Sequence, residues 1–132
     1  MDKLALEADV WINNLESGVT SSIEMTKSRL RLSSEADWKE ADSVINEYDN
    51  LYKSLSSLRD DTDDYYNYLI ESLAASRDNN DKSYLLVYNK AVAVERLIQK
   101  ITNSMEFIDS CISNEFKNES YIETLSIIWR RS

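Results

Sequence analysis

The sequence predicts an all-α protein: an elongated antiparallel bundle of three long helices followed by a short C-terminal helix. Three observations carry that prediction. The 132 residues include no proline and a single glycine, Gly18, and those residue types are the usual punctuation between short elements. Apolar side chains recur in steps of three and four along most of the chain, which is the period of one helical face. The clearest break is Arg77-Asp78-Asn79-Asn80-Asp81, a cluster of residues that hydrogen-bond their own backbone in turns.

The first helix is expected over Asp2 to Leu32, with a face formed by Leu4, Ala8, Trp11, Leu15, Val19, Ile23 and Leu30. Gly18 lies inside it at a cost of up to about 1 kcal/mol relative to alanine, so it marks a close approach of a neighbouring helix or a slight bend. Ser33 and Ser34 end the periodic run, and Ser34 with Asp37 resembles a capping box that opens the second helix.

The face of that second helix runs Trp38, Ala41, Val44, Ile45, Tyr48, Leu51, Leu55 and Leu58, and then meets Arg59-Asp60-Asp61-Thr62-Asp63-Asp64. Four carboxylates in five residues repel one another and are able to cap a new helix, so helix and turn compete here. The spacing Leu51, Leu55, Leu58, Thr62, Tyr65, Leu69 crosses the run without a slip of phase, whereas a loop usually breaks phase. The favoured reading is one helix continuing to about Ser76.

After the reversal at residues 77–81, with Asp81 as the cap, the third helix has the cleanest pattern: Tyr84, Val87, Ala91, Val94, Ile98, Ile101, Met105, Ile108 and Ile112. Sustained over four heptads, this is the seam of an antiparallel bundle or coiled coil, and it also allows a homodimer. Leu97 and Cys111 widen the stripe on one side and Tyr88 on the other, which favours contact with two neighbours. Asn118, or Ser120 with Glu123, caps a last short helix bearing Tyr121, Ile122, Leu125, Ile128 and Trp129. So short a segment is not helical alone and must dock on the bundle or on a partner.

Composition narrows the chemistry. The chain has no histidine and one cysteine, Cys111, so the commonest metal ligand and general base is missing and no internal disulfide forms. There is no glycine-rich phosphate loop and no nucleophile elbow. No catalytic, cofactor-binding or metal-binding residue is assigned, no cofactor is expected, and the expectation is a protein that is not an enzyme. Successive helical carboxylates point in different directions, which argues against calcium at Asp60 to Asp64. At this length one domain, residues 1–132, buries about two-thirds of its unfolded surface. No apolar stretch is long enough to span a bilayer, and the acidic start does not resemble a signal peptide, so the expected location is intracellular, in the cytoplasm.

The formal charge is −9, from 24 acids and 15 bases. Residues 35–82 hold 13 acids and 5 bases, and so supply −8 of it. A field of that sign opposes direct nucleic-acid or anionic-membrane binding and attracts a basic protein surface. Tyrosines cluster beside the acidic run, and tyrosine is enriched in interface hot spots. The candidate partner-binding residues are therefore Tyr52, Asp60, Asp61, Asp63, Asp64, Tyr66, Tyr68 and Trp129. The functional expectation is a protein-binding module, an adaptor, assembly subunit or small inhibitor. Two other classes remain open: a phage-type anti-defence or anti-nuclease inhibitor occupying a nucleic-acid channel, and a helical chaperone or structural component of a secretion system.

Overall fold

The computed structural model describes residues 1–32, 41–76, 82–113 and 120–130. They form four helices: α1 Asp2–Leu32, α2 Ala41–Ala75, α3 Lys82–Ser113 and α4 Ser120–Arg130. The expected start of the second helix at Ser34, its core residue Trp38, the turn at residues 77–81 and the cap at Asn118 lie outside the described residues.

Side-chain pairs fix the directions of the helices. Trp11 meets Tyr65, Gly18 meets Leu58 and Arg29 meets Glu47, so positions advance on α1 as they retreat on α2, and the two run antiparallel. Asp2 accepts a hydrogen bond from Ser83, and Asp9 pairs with Lys90, so α1 and α3 advance together. α4 returns against α1, with Glu123 near Lys27 and Arg130 near Glu24.

α2 is one uninterrupted helix of 35 residues, about 52 Å long at 1.5 Å per residue. The acidic run is helical throughout. Thr62 explains how a polar residue holds a core position there: it is fully buried, and its hydroxyl donates to the Leu58 carbonyl at 2.6 Å, so no polar group is left unmet.

The core falls into two clusters along the bundle. At one end α1, α2 and α3 enclose Ala5, Ala8, Leu69, Leu73, Val87, Ala91 and Val94. At the other, α4 joins them, and Val19, Ile23, Tyr48, Leu55, Ile101, Ile108, Ile122, Leu125 and Trp129 pack together. Ile12 touches both clusters. Full burial of such side chains stabilises by roughly 1.5–3 kcal/mol each. Leu97 and Cys111 are buried as the widened stripe of α3 predicts, whereas Tyr88 remains half exposed.

The docking of α4 rests on both its faces of chemistry. Ile122, Leu125 and Trp129 are buried, while Ile127 and Ile128 stay open. Lys27 on α1 is buried and bonds Glu123 at 3.0 Å. Glu24 accepts hydrogen bonds from Ser126 at 2.6 Å and Arg130 at 3.1 Å. The Ser126 hydroxyl first, and then Arg130, hold the Glu24 carboxyl below its ordinary pKa. A depressed carboxyl stabilises the fold above its unfolded pKa of about 4.3 and loses that contribution as pH falls through the lower folded value.

Two expectations follow. Acidification below about pH 4.3 should loosen α4 before the rest of the bundle, seen as faster amide exchange in residues 121–130. Glu24→Gln should abolish this pH dependence and cost about 0.5–1 kcal/mol, because the pair is part-exposed. At Gly18 an added Cβ would meet only Leu58 methyls, at 3.8 and 4.0 Å, which is ordinary contact. The close approach inferred from the sequence therefore does not require glycine, and Gly18→Ala should raise stability by about 1 kcal/mol in urea denaturation.

Candidate functional site

The junction between the two core clusters, on the α1–α2 side, is where the predicted acidic residues meet aromatic side chains. Trp11 and Tyr65 stack there with ring centroids 4.4 Å apart and planes inclined by 13°. Tyr68 tilts against Tyr65 at 5.8 Å and is half exposed. Beside the stack, Trp11, Asn14, Leu15, Leu58, Asp61 and Thr62 line a notch of about 170 Å³.

The helical period explains this assembly. Leu58, Tyr65 and Thr62 lie on the inward arc of α2, and Asp61 falls one position outside it, at the rim. On α1, Asn14 and Leu15 lie three and four residues after Trp11, so the three form the facing wall. The side chains of Leu15 and Leu58 supply the apolar part and Asp61 the charge.

Two polar atoms at the stack are shut off from solvent and meet no hydrogen-bond partner in the protein, Trp11 Nε1 and the Tyr65 hydroxyl. Such atoms cost about 1–3 kcal/mol apiece, and departures from full satisfaction concentrate where a surface serves something besides its own stability. Burial first, then the nearby Glu7 carboxylate and Tyr68, raise the Tyr65 phenol above its ordinary pKa, which keeps it neutral. The hollow beside α4 lined by Lys100, Asn103, Ser104, Phe107, Leu125 and Ile128 contains no such unmet atom among the described residues.

Asp60, Asp61, Asp63 and Asp64 are all exposed. None forms an ion pair among the described residues, although Lys27, Arg29, Lys53, Lys90 and Arg130 each have one elsewhere. No group of three or more metal-ligating side chains converges among the described residues.

The predicted aromatic contacts separate. Tyr52 is partly buried against the four-helix cluster. Tyr66 packs on the three-helix cluster, and its phenol is raised by burial and by Glu95, to which its hydroxyl is hydrogen-bonded. Successive tyrosines thus reach opposite neighbours, Tyr65 toward α1 and Tyr66 toward α3. Of the predicted tyrosines, Tyr68 is the one that joins the Trp11–Tyr65 stack, through its contact with Tyr65.

Trp129 is a correction. It is 3% exposed, its Nε1 donates to the Ser104 hydroxyl at 3.1 Å, and the Lys100 ammonium lies 4.3 Å from the centre of its ring. The α4 stripe that carries it turns inward onto α3, so it holds α4 in place and offers no surface to a partner. Trp11 is the opposite case: the sequence places it in the core, yet it is only partly buried and lines the notch. Its neighbours Asn14 and Gly18, neither of them a bulky apolar residue, were the available signal that this edge of α1 is not sealed.

Cys111 is buried, and that burial raises its thiol pKa, so the protonated form dominates and its nucleophilicity is low. No helix among the described residues is long and apolar enough to cross a membrane. No protein-family model matches the chain, and no curated protein or solved structure matches it either.

Because the Tyr65 hydroxyl is buried without a partner, Tyr65→Phe should leave stability unchanged or raise it by up to about 1 kcal/mol, with the Trp11 stack retained. Equilibrium urea denaturation measures the difference, and a loss above that size would mean the hydroxyl has a partner in solution.

Proposed function

We propose that this chain is a non-enzymatic protein-binding module, an adaptor, assembly subunit or small inhibitor, that presents the outer face of α2 to a basic surface of another protein. The observation that carries this reading is the isolation of the acidic run. Four carboxylates stand exposed with no ion pair among the described residues, and a single base, Arg59, adjoins them in the sequence. Like charges so placed repel each other and contribute nothing to the bundle. Toward a partner, the same charges raise the rate of encounter and favour one orientation.

The α2 scaffold suits that role. A helix buried along one arc and supported by two neighbours holds its outer carboxylates in fixed relative positions, so little conformational entropy is lost on binding. The half-exposed Tyr68 adds an aromatic contact next to the charges, which is the composition expected of an interface centre with a polar surround.

A direct test titrates fluorescently labelled oligo-lysine into the protein and into the variant with Asp60, Asp61, Asp63 and Asp64 all changed to Asn. Native affinity should fall as salt rises, and the variant should bind at least about tenfold more weakly. Equal affinity of the two proteins would remove the acidic face from the function.

A further inference from the structure

We infer that the notch between α1 and α2 receives an arginine side chain of the basic partner, which becomes the anchor of the interface; this rests on the protein-binding reading above and identifies the residue it recognises. The notch has a volume of about 170 Å³, well below the roughly 300–1,000 Å³ of sites for drug-sized ligands. It is of a size for one side chain.

Its lining selects the type. Leu15, Leu58 and the indole of Trp11 offer apolar contact, whereas Asp61 at the rim is an anion with no ion pair of its own. The occupant must therefore combine an apolar stem with a cationic tip. No lysine or arginine among the described residues lines the notch, and Glu7 adds a second negative charge near Tyr65. A hydrophobic occupant would bury against Leu15 and Leu58 but leave Asp61 desolvated and unpaired. An acidic one would be repelled.

Between the two cationic side chains, arginine fits better. Its planar guanidinium stacks on aromatic rings and bonds a carboxylate through two parallel N–H groups, and it is more weakly hydrated than an ammonium. The Asn14 side chain on the opposite wall is an additional acceptor for a fork of five donors. The stacking of Trp11 on Tyr65 holds the wall in one orientation before the partner arrives, which reduces the ordering cost of binding.

The test compares labelled oligo-arginine and oligo-lysine of equal length, by anisotropy, on the intact chain and on Asp61→Asn, Asp60→Asn and Trp11→Phe. Near-ultraviolet circular dichroism checks that each variant is folded. Oligo-arginine should bind about tenfold more tightly than oligo-lysine, a difference of about 1.4 kcal/mol. Asp61→Asn should erase that preference, and Asp60→Asn should weaken both peptides slightly and equally. Oligo-arginine should also change the intrinsic tryptophan emission of the native protein and leave that of Trp11→Phe unaltered. If both peptides bind alike and Asp61→Asn costs no more than Asp60→Asn, the notch proposal falls while the acidic-face reading stands. If neither peptide binds, both fall. An arginine preference that survives Asp61→Asn also overturns the assignment.

Discussion

The architecture depends on α2 keeping its helical phase through Arg59–Asp64. If that run bent, Leu69 and Leu73 could not share a face with Leu51 and Leu55, and the three-helix cluster would lose its α2 wall. The run is intrinsically poor helix: aspartate has weak propensity, and carboxylates one turn apart repel by a few tenths of a kcal/mol per pair. Those penalties are small beside the burial of Leu55 and Leu69, each fully enclosed and worth roughly 1.5–3 kcal/mol. Thr62 removes the remaining obstacle by satisfying its hydroxyl on its own helix. Tertiary packing therefore decides the conformation against local preference.

How much of this was legible in the sequence differs by element. The limits of the first helix and the seam of the third were readable because period and composition agree, with no proline and only Gly18 as a weak point between Asp2 and Leu32, and an apolar or small residue at nearly every inward step of α3. The continuity of α2 was readable only from phase, since residue propensity at Asp60–Asp64 pointed the other way. The division of the core into two clusters was not readable. It arises because α4 covers one end alone, and the length of a docked helix says nothing about which groove receives it.

The site was legible in its charge and not in its shape. Net charge by segment located the acidic run, because exposure of aspartate is the normal case and needs no partner to be known. The aromatic residues were misassigned for one reason: on a helix between two neighbours, adjacent tyrosines turn to different helices, and a linear cluster does not become a surface patch. Tyr66 goes to Glu95 and Tyr65 to Trp11. Read from sequence, Trp11 falls on the core face of its helix and Trp129 is offered to a partner. What separates them is the far wall: Trp129 meets the Ser104 hydroxyl and the Lys100 ammonium, whereas Trp11 meets the rim left between Asn14 and Asp61. Contacts that depend on a neighbour's register are invisible in one helix's sequence.

The distribution of ion pairs links fold to function. Bases on α1, α3 and α4 pair across helices, Lys27 with Glu123, Lys90 with Asp9 and Arg130 with Glu24, and these tie α1 to α3 and α4. Lys100 is placed over Trp129, and burial lowers its pKa. Lys27, Lys90, Lys100 and Arg130 thus each have a local partner on the α1–α3–α4 side. The outer face of α2 keeps Asp60, Asp61, Asp63 and Asp64 without such partners. An excess of carboxylates spread evenly gives a weak, directionless field, whereas a cluster of them on one helix focuses it. That clustering is a property of the packed helices, since the phase of α2 turns Thr62 inward and leaves the four aspartates outward.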